Sequence, residues 1–459
     1  MPKSTSNGLY RRVFLLAIPI ALQNVITLSV GLADNLMVGS LGEMALSGVY
    51  VANQLQSLLQ MLIVGLGAAM TILVTQYWGK RDAKSVKSII GIALKFSIAA
   101  GLALTLATLL YPVQVLRLFT NDPAVVATGL EYLSIVRFSY IFFCVTQVMI
   151  AAMRSVERVR IGMYLSIVTF FVNVSLNWVL IFGHLGFPAL GVKGAAIATL
   201  IARILETPII LYYVRVIDDQ LRIKFSELIR TNWVLVKDFF RYGFPVIMGD
   251  IFWGINIAVQ GAIIGRLGAT ALASVSIANI VFNIVGVAMR GVSGATAVII
   301  GQTVGAGDYD RVKDYAKRLQ VLFLIVGVIS GTVLYFVKDY VILLYNVGPE
   351  TITLTRQVLT VLSVTIVGTA YQASALTGIV RAGGSIYFVL INDLIWVWLV
   401  VIPSALLAAF VFNASPVVVF ACLKCDQVLK CAVAVVKVNR FKWIKNLTRD
   451  TDALEQASA

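Results

Sequence analysis

The stretch Leu9–Val38, LYRRVFLLAIPIALQNVITLSVGLADNLMV, is apolar and carries only one charge between Val13 and Val38, that of Asp34. It exceeds the ~20 residues that cross a bilayer as a helix. A carboxylate at membrane depth costs about several kcal/mol unless it is paired, hydrated or protonated. Asp34 is therefore a candidate functional group. The alternative is that it lies near enough to the helix end to reach headgroup water.

Working outward, the chain has 459 residues, 59% of them hydrophobic and 13% charged, with a mean hydropathy of +0.90. Soluble domains carry about a quarter charged residues, so this is an all-α, polytopic membrane protein. Its apolar runs are continuous rather than alternating, which indicates helices and not a barrel. The first span is too long for a cleavable signal peptide. The net charge of +15 sits mostly at span ends, where the positive-inside rule explains it better than nucleic acid does. Cys422 and Cys425 form a CxxC inside the last apolar span, with no second pair beside it; they read as small apolar filler. His184 is the only histidine, which excludes a His-based relay or a multi-His metal site.

Hydropathy gives twelve spans, near 10–38, 44–78, 84–111, 123–152, 159–183, 189–215, 237–265, 269–303, 310–337, 350–380, 385–412 and 415–438. Lys and Arg concentrate in alternate loops, among them Lys80, Arg81, Lys84, Lys87, Arg154, Arg158 and Arg160. That bias predicts a cell-membrane protein with both termini cytoplasmic.

A shift of 226 residues lays the chain on itself without gaps. Pro19 falls on Pro245, Gly39 on Gly265, Gly42 on Gly268, Ala52-Asn53 on Ala278-Asn279, Gln76 on Gln302, Gly79 on Gly305 and Asp82 on Asp308. Further on, Gln147 and Arg154 resemble Gln372 and Arg381 with a two-residue slip. The chain thus reads as an N-lobe over 1–217, a polar linker over 218–232, a C-lobe over 233–440 and a tail over 441–459. Six spans per copy make the repeats parallel, related by a pseudo-twofold axis along the membrane normal. Two matched lobes around a cleft are the architecture of a secondary transporter that works by alternating access. A channel would need a filter or charged ring, and an ATP-driven pump a GxxxxGK[ST] loop; neither is present. No enzyme activity and no cofactor is expected.

AIPIALQN and ADNLMVGSLG in the first span, QYWGKRD after the second, NVSLNWVLIFG and GVKGAAIATLIAR in the fifth and sixth, and GFPV, GRLGATALASVSIAN and GQTVGAGD in the second half together resemble the multidrug and toxic compound extrusion (MATE) transporters, in a prokaryotic form. The resemblance implies an antiporter driven by H⁺ or Na⁺ that exports amphipathic, often cationic organic compounds, and the chain is expected to work as a monomer. It also implies an N-lobe ion site at Asp34, Asn173, Asn177 and Thr199. Asn177 stands where some members have Asp, so the resemblance leaves the ion open. The acids that line a C-lobe site in another branch are replaced here by Trp253 and, approximately, Ala370.

Helix geometry bears on the same residues. Asn173 and Asn177 are four apart and share a helical face, and all four site residues fall at overlapping depth. Gln23, Thr27 and Asp34 share one stripe of the first helix, which should face a partner or cavity. Asp34 can then carry a proton, or join amide and hydroxyl oxygens in a cage for Na⁺. The other reading of the asparagines is interhelical hydrogen bonding. In the C-lobe, Asp250 and Arg290 lie at similar depth and form a candidate charge pair; the alternative is that Arg290 snorkels on its own. Arg203 and Glu206, one turn apart, are expected to pair. Pro19 and Pro245 each interrupt a helix, as static bends or as hinges that move Asp34. A different class of function, a flippase for lipid-linked saccharides, shares the two-lobe plan. It calls for a cationic cleft, and Arg137, Arg203, Arg290 and Arg356 are scattered.

Overall fold

The computed structural model describes residues 6–229, 232–343, 345 and 347–450. The chain is helical throughout. The first repeat contains α1 (Ser6–Gly39), α2 (Glu43–Gly79), α3 (Ala83–Leu110), the short α4 (Pro112–Arg117), α5 (Pro123–Val136), α6 (Ser139–Ser155), α7 (Arg160–Phe182) and α8 (Val192–Tyr212). A linker helix, α9 (Phe225–Ile229), follows. The second repeat has α10 (Trp233–Gly265), α11 (Ala269–Gly305), α12 (Tyr309–Ile342) and α13 (Pro349–Ala373), then α14 (Ile386–Ile395), α15 (Ile402–Leu406), α16 (Pro416–Leu423) and α17 (Cys425–Asn439).

The helix boundaries obey the sequence repeat. Both α2 and α11 begin and end 226 residues apart, and α3 and α12 start in the same register. The reason is local chemistry that recurs. Gly42 and Gly268 turn the chain at φ 112° and 110°, a conformation open to glycine. Asp82 and Asp308 cap the next helices, accepting from the N–H of Ser85 and Arg311. The two-residue slip has a structural form as well. The extra residues before Arg381 are absorbed by a π-helical stretch over Ser374–Arg381, where the first repeat stays α-helical to Ser155.

Among the described residues, ten helices are long and apolar enough to cross a membrane, and α5 with α6, bent by 58°, makes an eleventh. The twelfth expected span, α16 with α17, is broken at Lys424 and carries Lys424, Asp426, Lys430 and Lys437. Its charges are partly matched within the protein: Lys430 is 3% exposed and bonds Asp426 at 3.1 Å and Asp393 at 2.9 Å.

Two compact units result, and their boundaries differ from lobes divided at 217 and 233. One comprises Met1–Ala21, Thr75–Arg81 and Met248–Thr448; the other comprises Leu22–Val74, Asp82–Ile247 and Arg449–Ala459. The first helix of each repeat is thus divided, after Ala21 in α1 and after Ile247 in α10, each two residues beyond the matched proline. Glycine contacts explain the exchange. In the first unit a Cβ on Gly291 would meet the Ala17 carbonyl at 2.7 Å, so the start of α1 lies directly on α11. In the second unit a Cβ on Gly243 would lie 2.9 Å from Ala69 of α2, and Phe240 packs edge-on against Phe96 of α3. Small residues allow helices this close approach.

Candidate functional site

The site grows from the turn between α7 and α8. Helix α7 ends at Gly183 with φ 76°. The N–H groups of Leu190 and Gly191 then bond back to the carbonyls of Leu180 and Ile181 at 2.9 and 3.3 Å. Gly194 lies so near Leu180 that a Cβ would contact its carbonyl oxygen at 2.5 Å. This lays α8 closely along α7. On α7 the four-residue spacing puts Asn173 and Asn177 on one face, 2% and 0% exposed.

The second part of α1, from Leu22 onward, belongs to the same unit. The Nδ2 of Asn177 donates to Oδ1 of half-buried Asp34 at 2.5 Å and to Oδ1 of Asn173 at 3.1 Å. Sequence spacing and structure therefore bring these three residues together. Charge-assisted bonds of this kind contribute about 1.5–3 kcal/mol. Among the described residues the buried Oδ1 of Asn177 has no hydrogen-bond partner, and Oδ2 of Asp34 is not used in the bond to Asn177. An unpaired buried acceptor such as the Asn177 oxygen costs about 1–3 kcal/mol.

Thr199 contributes indirectly. Its side chain meets the hydroxyl of Tyr132, as does that of Asn53, and Tyr132 lies near enough to Asp34 to feel its charge. Thr199 makes no bond to Asp34 among the described residues. Arg203 also acts on Asp34, but its charge is taken up by Glu206 at 2.8 Å, the expected pairing, with the guanidinium 5.1 Å from the Phe143 ring centroid. Tyr132 escaped sequence reading because nothing in the pattern sets it apart from the other tyrosines, and Asn53 was visible only as a repeat match to Asn279. Arg203 was legible only as half of its own pair.

The polar stripe on α1 is not continuous. Gln23 is 8% exposed and accepts from Arg154 Nη2 at 3.3 Å. Thr27 is exposed, with its hydroxyl turned back to the Gln23 carbonyl at 2.9 Å. Four residues advance only about 40° net round the helix, so the same face is covered at Gln23 and uncovered one turn on at Thr27.

In the second repeat the Asp250–Arg290 pair does not form. Arg290 donates to the Asn283 carbonyl at 2.7 Å, one of the last turns before its own position in α11. The charges acting on Asp250 are those of Arg381 and Asp393. Similar depth made Asp250 and Arg290 a candidate pair, but no bond joins them among the described residues. Instead a buried network runs from Gln372 through Gln427 and Asp426 to Lys430 and Asp393, with links of 2.9, 2.9, 3.1 and 2.9 Å. Asp426 and Lys430 are four apart on one helix, and Asp393 joins them from another.

Comparisons with known proteins bear on the whole chain. A family model described as MatE matches residues 19–179 and 245–407, one block in each repeat. A probable multidrug resistance protein NorM of Thermotoga maritima is 25% identical, over 98% of this chain and 97% of that protein. The multidrug resistance protein MdtK of Yersinia pseudotuberculosis is 23% identical over 95% of each. Among solved structures, the Vibrio cholerae MATE transporter VcmN in its bent form is 16% identical with a TM-score of 0.83, covering 98% of this chain and 99% of that one. A MATE protein in the bent conformation has a TM-score of 0.85 at 18% identity, covering both chains completely. These likenesses establish the shared fold.

Proposed function

The chain belongs to the MatE family of multi-pass membrane transporters, which are not enzymes, and from that premise we propose that it exports amphipathic, often cationic organic compounds in exchange for H⁺ or Na⁺ taken up at Asp34. The observation that carries this reading is the unused oxygen of Asn177 beside the half-bonded Asp34 carboxylate. A coupling site has to leave acceptor oxygens for the ion beside its carboxylate.

Loading and unloading follow from the same geometry. A proton on Asp34 removes the charge whose desolvation opposes burial. A sodium ion would instead take the free carboxylate and amide oxygens, as oxygen ligands in transporters do. Either event changes what α1 gains by holding Asp34 against α7, and Pro19 supplies the weakened place in α1 at which the helix can bend. In this reading the chain works as a monomer in the cell membrane with both termini cytoplasmic; the Lys and Arg bias of its loops supports that orientation.

The test is dye transport by the purified chain in proteoliposomes, with a pH gradient or a Na⁺ gradient imposed separately. One gradient should drive accumulation of a lipophilic cation in the wild type. Asp34→Asn should reduce it to the rate without a gradient. Transport that is indifferent to both gradients, or undiminished in Asp34→Asn, would overturn the coupling role. Transport of a lipid-linked saccharide in place of the dye would move the chain to the flippase class.

A further inference from the structure

A groove of about 820 Å³ runs along the outside of α12, α13 and α17, within one compact unit. Its walls include Leu324, Val328 and Phe336 of α12, Val364 and Val367 of α13, and Val428 of α17. Glycines keep it narrow-backed: a Cβ on Gly331 would contact the Ser363 carbonyl oxygen at 2.5 Å, so α12 and α13 touch at the floor. One end is closed by the Tyr371 hydroxyl, which donates to Gln320 Oε1 at 2.6 Å.

A charge lies just past the Tyr335 end of these walls. Lys338 lies one turn beyond Tyr335 and two turns beyond Gly331, on the stripe of α12 that lines the groove. Its ammonium sits 3.6 Å from the Tyr335 ring centroid and donates to Thr360 Oγ1 of α13 at 3.0 Å. The residue is 7% exposed, so it bends inward rather than stretching to water. Among the described residues it has no carboxylate partner. The neighbouring Asp339 is held by Arg356 at 2.7 Å. A buried cation without a counter-charge is costly, and this one adjoins the groove through the Tyr335 ring that forms part of its wall.

From Leu324 to Lys338 is fourteen residues, or about 21 Å of helix. That matches half of the ~30 Å hydrocarbon core plus the interfacial layer. We propose that the groove holds an acyl chain of an anionic phospholipid whose phosphate is bound by Lys338. The phosphate supplies the missing negative charge, the aliphatic walls take the tail, and Thr360 and Tyr335 orient the ammonium at the phosphate level. Basic pockets between membrane helices recognise lipid headgroups in this way.

The experiment is native mass spectrometry of the full chain in detergent, titrated with phosphatidylglycerol or with phosphatidylcholine of the same tails. The wild type should retain phosphatidylglycerol about fivefold more tightly than phosphatidylcholine, the effect of one cation near the phosphate. Lys338→Gln, which keeps a donor for Thr360, should equalise the two lipids, and Lys338→Arg should restore the preference. Val364→Trp, an exposed position on the groove wall, should weaken both. Equal retention by the wild type, or a phosphatidylglycerol preference that survives Lys338→Gln, would overturn the assignment. So would displacement of the bound lipid by ethidium at the concentrations that saturate transport, because the groove would then be a cargo site. None of these readouts depends on which ion couples transport.

Discussion

The first helices of the two repeats, α1 and α10, share a frame and differ at one chemical position. Each holds a proline, Pro19 or Pro245, passes from one compact unit to the other two residues later, and ends at a matched glycine, Gly39 or Gly265. Where α1 has Asp34, α10 has Gln260. The Asp34 carboxylate is met by Asn177 from another helix at 2.5 Å. Gln260 donates to Asn256 of its own helix, one turn back, at 3.0 Å. A neutral amide can satisfy itself locally, whereas a carboxylate in an apolar setting has to recruit a donor from elsewhere. The proline and the terminal glycine of the helix are duplicated and the ionisable group is not.

The most severe way to break that comparison is to exchange the groups. Asp34→Asn should lower gradient-driven dye efflux at least about tenfold, the loss that follows when ~1.4 kcal/mol of coupling is removed. Gln260→Asp in the same chain should not restore it, because no Asn177 faces that position. Efflux from a drug-hypersensitive host measures both. Rescue by Gln260→Asp would show that the two repeats are interchangeable after all.

A second contrast sets close helix crossings against open helix faces. Gly79 and Gly305 are equivalent, and each lies against the other's helix: a Cβ on Gly79 would collide with the Gln302 carbonyl, and one on Gly305 with that of Gln76. Gly79→Ala and Gly305→Ala should each destabilise the chain by about 1–3 kcal/mol through overpacking. Gly261, with open space around its Cα, should gain up to about 1 kcal/mol from Ala through helix propensity. Thermal unfolding in detergent reads all three, and a difference between Gly79 and Gly305 would break the reciprocity.

The prolines sharpen the mechanical half of the comparison. Pro19→Ala restores a backbone donor in the helix that carries Asp34 and should slow transport by about threefold, as hinge changes do. Pro245→Ala, in the helix with Gln260, should slow it less. Initial rates at saturating dye are the measurement. Equal effects would detach the bend in α1 from the movement of Asp34.

Much of this was legible because it is local and repeated. The 226-residue register placed the ends of α2 and α11 through the same glycines and capping aspartates. The i,i+4 spacing of Asn173 and Asn177 announced a shared face, and the i,i+3 spacing of Arg203 and Glu206 a pair. What the sequence concealed depends on contacts between distant helices. Depth along a helix does not say which way a side chain points, so Asp250 and Arg290 looked paired while Arg381 and Asp393 are the charges that act on Asp250. Thr27 looked like part of a buried stripe but turns to its own helix. The division of α1 after Ala21 and of α10 after Ile247 rests on small residues of α2 and α11, whose significance appears only once helices touch.

The smallest expected effect concerns a lysine that also occupies equivalent places in the two repeats. Lys313 pairs with Asp310 of its own helix at 3.0 Å, on an exposed face. Lys87 instead reaches Glu227 of the linker helix α9 at 2.9 Å, and beside it a Cβ on Gly91 would meet the Leu228 carbonyl at 2.5 Å. Partial burial works to raise the Glu227 carboxyl, but the Lys224 N–H and the Lys87 ammonium outweigh it and hold the group below the ordinary carboxylate range. A depressed carboxylate stabilises the docked linker above its unfolded pKa, and that contribution is lost as pH falls through the folded value. The pair is partly exposed, so its contribution is about 0–1 kcal/mol. Acidification from neutral pH to below the ordinary Glu range should therefore loosen α9 modestly, seen as faster hydrogen exchange over 225–229. Glu227→Gln should show the faster exchange already at neutral pH with little further change, and Lys313→Met should leave the linker untouched. Exchange that is fast and independent of pH in the wild type would mean that α9 is held by the Gly91 contact alone.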